Sequence, residues 1–185
     1  ISYTFYVRHR LSNIDPSQPP GAEPPREGAN QDILDHPDFA ERVAKERSGW
    51  ALSFGRPWVV GPVAYENHDP LDRDIANLKA AINESAPGEA FMTAASPGVL
   101  SKFVPDDYYK DEEAYIVAMA AAMQTEYEAI NAAGLILQID CPDFGSARHN
   151  QYKHLSDDEF LKIAWRNMEA VNAATTNIPP ENMRL

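Results

Sequence analysis

With 185 residues, 44% of them apolar and 24% charged, the chain is long enough for one globular domain with a real core. A formal net charge of −12 argues against a nucleic-acid binder, which needs a basic face against phosphates, and disfavours anionic membrane surfaces. The single cysteine rules out an internal disulfide framework, and no apolar run approaches the ~20 residues of a membrane span.

A reducing, cytoplasmic setting is therefore expected, and the first residues carry no signal-peptide pattern. Residues 1–90 are irregular. Tyr3-Thr4-Phe5-Tyr6-Val7 has strand propensity but runs into Arg8, His9 and Arg10. Five prolines between Asp15 and Asn30, among small and charged residues, suit an exposed loop or linker. His36 to Arg47 has weak helical character, and Trp58 to Val63 is a short strand candidate bounded by Pro57 and Pro62. Asp72 to Asn83 predicts an amphipathic helix, with Ile75, Leu78, Lys79 and Ile82 at helical spacing.

Residues 91–185 are more regular. Ala90 to Ala94 predicts a strand ending in the small-residue turn Ala95-Ser96-Pro97-Gly98. Asp111 to Ala133 predicts a long helix with Ile116, Met119, Met123, Tyr127 and Ile130 along one face, and Gly134 suits its C-terminal cap. Its acidic approach, Asp106, Asp107, Asp111, Glu112 and Glu113, suits a helix's first turn. Leu135 to Ile139 is an almost wholly apolar strand that ends abruptly in Asp140-Cys141-Pro142-Asp143. Ser156 and Glu159 form a capping box opening a helix with Phe160, Ile163, Ala164, Met168 and Val171 inward. That helix ends near Asn177 to Pro180, and apolar residues resume at Met183 as if a strand began. The alternation predicts parallel β/α units, from a barrel or a doubly wound sheet, as one domain.

In such sheets, ligands sit beyond the carboxyl ends of the strands. Asp140 is therefore a candidate for the cleft, with loop capping as the plainer alternative. Asp143 is expected to be more solvated than Asp140. Cys141 fits a nucleophile or metal ligand, but a lone cysteine is more often a small buried hydrophobe. The small-residue turn at Ser96 lets a ligand approach the backbone or merely makes a tight connection. Phe103, Tyr108 and Tyr109 offer rings for stacking on a flat heterocycle or for packing at a rim. His9, His36 and His68 are expected to face water. His149 and His154 are spaced wrongly for one helical face and do not suggest a zinc site.

Two stretches, Phe91-Met92-Thr93-Ala94-Ala95-Ser96-Pro97-Gly98-Val99-Leu100 and Leu137-Gln138-Ile139-Asp140-Cys141-Pro142-Asp143, resemble the cobalamin-independent methionine synthase family, in its catalytic barrel and stand-alone relatives. The resemblance implies an α/β fold: a partial TIM (β/α)8 barrel of the methionine synthase/uroporphyrinogen decarboxylase type, truncated at both ends. It also implies a zinc-dependent methyltransferase that carries a methyl group from a 5-methyltetrahydrofolate-type donor to the thiol of homocysteine, giving methionine. Zinc would favour the thiolate, the competent nucleophile. By that resemblance Asp140 holds the substrate's amino group, and Phe103 stands where the family has a tryptophan beside the pterin. Ser96 belongs to the same substrate-binding set.

Two departures stand out. Cys141 replaces the glutamate of the usual Asp-Glu-Pro, and Ser146 falls near another acidic position linked to folate. The family's His-x-Cys zinc ligands would follow Leu185, so no metal ligand and no catalytic residue is expected within these residues. On this reading the 185 residues are a fragment, inactive alone and prone to aggregate through open sheet edges. Two other readings stand beside it: alkyl transfer to another thiol, as in the epoxyalkane:coenzyme M transferases, and a non-catalytic binding module that kept the fold.

Overall fold

The computed structural model describes residues 5–17, 19–22, 35–47, 57–145, 148 and 151–185. Tyr3, Thr4, Ser146, His149 and residues 23–34 of the proline-rich stretch lie outside the described residues.

The order of elements is β1 (Ile14–Asp15), α1 (Pro37–Arg47), β2 (Trp58–Val59), α2 (Asp69–Ser85), β3 (Phe91–Ala95), α3 (Pro97–Phe103), α4 (Glu112–Ala132), β4 (Ile136–Asp140), α5 (Asp157–Ala174) and β5 (Met183–Arg184). Three of the strands form a parallel sheet in the order β3-β4-β5. β3 pairs with β4 from Phe91↔Ile136 to Ala95↔Asp140, so the two strands end level. β5 joins through Leu137↔Met183 and Gln138↔Arg184. The chain is thus an α/β protein with parallel strands joined by helices.

Local chemistry accounts for these elements. The Asp111 side chain caps α4 by accepting from the Ala114 N–H, and Gly134 turns the chain at φ +78°, a conformation that favours glycine. The predicted capping box is present: the Ser156 side chain accepts from Glu159 N–H while the Glu159 carboxylate accepts from Ser156 N–H. Ile116, Met119, Met123, Tyr127 and Ile130 are buried along one face of α4. Leu137 and Ile139 of β4 are buried in the same core, and the period of two puts Gln138 and Asp140 on the other face. No described helix covers that second face around Phe91 and Thr93, which are both exposed. It carries a polar ladder instead. Arg184 Nε donates to Gln138 Oε1 at 3.0 Å, Gln138 Nε2 donates to Thr93 Oγ1 at 3.2 Å, and the guanidinium lies 3.9 Å from the Phe91 ring centroid.

Several expectations need correction. The Ala95–Gly98 turn is the start of a short helix, α3, because Ser96 caps it and Pro97 suits its first position. The strand expected over Trp58–Val63 shrinks to two residues, paired antiparallel with β1 through Ile14↔Val59 and Asp15↔Trp58. Residues 5–9 form a 3₁₀ turn rather than a strand. Helix α2 extends past both expected ends, with Pro70 in its first turn. Of the acidic approach to α4, Asp106 does loop work, its carboxylate accepting from the N–H groups of Tyr108, Tyr109 and Lys110.

The amino-terminal segment is tied down by polar side chains. Arg10, 5% exposed, donates through Nη1 to Glu126 Oε2 at 2.9 Å and through Nη2 to Asp74. The hydroxyls of Tyr6 and Tyr65 also donate to the Glu126 carboxylate, at 2.9 and 2.8 Å. Glu126 is itself 1% exposed on the apolar face of α4.

Candidate functional site

The carboxyl ends of β3 and β4 come together at Ala95, Ser96 and Asp140. Ser96 is wholly buried. Its N–H donates to the Asp140 carbonyl at 3.0 Å, continuing the sheet by one bond. Its hydroxyl donates to Asp143 Oδ1 at 2.5 Å and accepts from Val99 N–H at 3.1 Å. Both capacities of the hydroxyl are engaged within the protein. Tyr127 of α4 secures the adjoining strand end, its hydroxyl donating to the Ala95 carbonyl at 2.6 Å.

Asp140 is half-buried on the face away from the core, and its carboxylate accepts no hydrogen bond among the described residues. Asp143, by contrast, is 2% exposed, which reverses the expected order of the two carboxylates. The 3₁₀ turn Pro142–Phe144 folds Asp143 back beneath α3, where Gly98 leaves the necessary space. A Cβ at Gly98 would lie 2.1 Å from Asp143 Oδ2 and 2.6 Å from Asn167 Nδ2. Asn167, on α5, donates from Nδ2 to Asp143 Oδ2 at 2.9 Å, while its own buried Oδ1 has no partner among the described residues. Burial pushes the Asp143 carboxyl above its usual range, a rise opposed by the hydrogen bonds from Ser96 and Asn167.

Cys141 is half-buried, and its thiol is pushed up to about 12, first by burial and then by the nearby Asp143 charge. Such a thiol stays protonated near neutrality and is a poor nucleophile. It contacts the Ile139 carbonyl at 3.7 Å, the behaviour of a small buried side chain.

Phe103 ends α3, half-buried against the core, with Lys102 Nζ 5.4 Å from its ring centroid. Tyr109 packs on Tyr115 at 5.8 Å between centroids, and its hydroxyl accepts from Val63 N–H at 2.9 Å. Tyr108 is half exposed. His9, His36, His68 and His154 all face solvent. Ser96 and Asp140 meet in one site, while Phe103 lies one short helix away from them.

Sequence reasoning missed Asn167 and the Glu126 network, and read Gly98 only as part of a small-residue turn. A signal for the first two was present: Asn167 and Glu126 interrupt apolar helical stripes, where a polar side chain requires a partner. Among the described residues, no three His, Cys, Asp or Glu side chains gather so as to hold a metal ion. Nor is any described helix long and apolar enough to cross a membrane.

Among solved structures, the chain is similar to a B12-independent methionine synthase from Shewanella sp. W3-18-1, determined in complex with selenomethionine. The TM-score is 0.59 at 19% sequence identity, over 95% of this chain and 39% of that one. At that identity the likeness is one of fold, and the chain spans well under half of the synthase. No protein-family model matches the chain, and no curated protein matches it by sequence.

Proposed function

We propose that the chain is part of a methionine-synthase-like methyltransferase, and that it supplies the cradle for the thiol substrate within a partial (β/α)8 barrel. The observation that carries this reading is Asp140: a carboxylate at the carboxyl end of a parallel strand, on the uncovered sheet face, with no internal hydrogen-bond partner among the described residues. The fold likeness to a methionine synthase supports it.

The chemistry assigned to these residues is modest. Asp140 binds the ammonium group of homocysteine, a charge-assisted contact that a partly buried cleft strengthens. The protonated Cys141 beside it does not compete with the substrate thiol for an electrophile. Phe103 borders the place of the methyl donor, a 5-methyltetrahydrofolate-type molecule. Zinc would favour the substrate thiolate. The described residues offer no ligand set that fits the metal, so zinc is assigned to other parts of a longer protein and no step is derived through it.

The test is methyl transfer by the longer protein containing this chain, with homocysteine and coenzyme M offered as acceptors. Methionine should form, and Asp140→Asn should raise the KM for homocysteine at least tenfold with bound zinc unchanged. That magnitude corresponds to one charged hydrogen bond of about 1.5–3 kcal/mol. Alkylation of coenzyme M alone would favour the other thiol-transfer reading, and no transfer to either would leave a binding module.

A further inference from the structure

We infer that Asp143 is the positioning residue of the Asp140 subsite: gripped by Ser96 and Asn167, it sets the turn that aims the Asp140 carboxylate at an ammonium group. The inference rests on the role proposed above for Asp140.

Asp143 is too deeply buried to touch a substrate, and both of its carboxylate oxygens are taken, by the Ser96 hydroxyl and the Asn167 amide. Ser96 holds the loop on both sides. Its N–H binds the Asp140 carbonyl and its hydroxyl binds Asp143, so Cys141 and Pro142 span two anchors on one residue. That residue also caps α3, so the turn after β4 is fixed to the helix after β3. Because the Asp140 side chain accepts no hydrogen bond among the described residues, its direction depends on the backbone that this clamp sets.

The clamp is also more demanding than a plain structural tie. A buried polar cluster is often replaceable by apolar side chains without loss of stability. Here a carboxylate is kept in the interior, Asn167 Oδ1 has no partner among the described residues, and the second residue of α3 must be a glycine to make room. Those costs are explained if the turn's exact path matters to a ligand.

Calorimetry on the longer protein containing this chain, with homocysteine and its deamino analogue 4-mercaptobutyrate, tests the inference. The unsubstituted protein should prefer homocysteine by about tenfold or more, and Asp140→Asn should erase the preference. Asp143→Asn and Ser96→Ala should each erase most of it, by weakening homocysteine far more than 4-mercaptobutyrate. A general packing defect would instead weaken both ligands together. If the unsubstituted protein shows no preference, the Asp140 reading fails and the inference with it. If the preference needs Asp140 but survives in both Asp143→Asn and Ser96→Ala, the inference alone is overturned. Should Asp143→Asn lose both ligands by misfolding, Ser96→Ala decides, since it keeps the carboxylate: a lost preference supports the clamp and a kept one refutes it.

Discussion

The stretch from Phe91 to Arg184 and the stretch from Phe5 to Asp15 are held by different forces. In the first, apolar side chains at strand and helix periods meet in one core, with Leu137, Ile139, Met119 and Ile130 fully or almost fully buried. The second adds Val7 and Leu11 to that core but hangs on polar bonds, above all those from Tyr6 and Arg10 to Glu126. Apolar burial is forgiving, because many small contacts share the load. A buried ion pair is not: removing one partner strands the other charge.

The largest break should therefore come from Glu126→Leu, which leaves Arg10 buried without its main partner. A loss of about 3–5 kcal/mol is expected in denaturant unfolding. Hydrogen exchange should show the amides of residues 5–11 losing protection well before those of β4. Adding Arg10→Met should recover much of that loss; no recovery would mean that something other than this ion pair holds the segment.

Gly98→Ala tests the other region, at a place where it too depends on polar packing. The added methyl meets the Asp143 and Asn167 side chains, and overpacking of this kind costs about 1–3 kcal/mol. Backbone resonances of residues 140–143 should shift more than those of 5–11. An unchanged unfolding midpoint would show that the clamp yields freely.

The smallest effect is a pH dependence. With its carboxyl raised by burial, Asp143 binds a proton more tightly in the folded chain than in the unfolded one. Its stabilising contribution is complete below the unfolded value of about 3.9 and is lost as pH rises through the raised folded value. Asp143→Asn should flatten that decline, by at most about 1.4 kcal/mol per pH unit in the window. A decline equally steep in the variant would place the responsible proton elsewhere.

How much was legible in the sequence follows the same division. Helix α4 and strand β4 were found within a residue or two of their ends, because apolar spacing, Asp111, Gly134 and the Ser156–Glu159 box are local signals. The two-residue strands β1 and β2 lack any such pattern, so β1 went unread and β2 was drawn too long. Helix α3 was hidden by its shortness, although Ser96-Pro97 is a proper helix opening. Asp140 could be located from the strand it ends. The burial of Asp143 could not, since it depends on Gly98 and Asn167 in two other helices.

By itself the sequence determined the alternation of strand and helix, the parallel sheet and the place where Asp140 emerges. Periodicity and caps act within a few residues, and a buried strand must end where its apolar run ends. Only the tertiary structure decided which carboxylate is exposed, what Ser96 holds and how the amino-terminal segment is anchored. Those outcomes rest on pairs 47 and 120 residues apart in the chain, Ser96 with Asp143 and Tyr6 with Glu126. A hydrogen bond between side chains so distant leaves no periodic trace, because its geometry exists only once the core has brought the elements together.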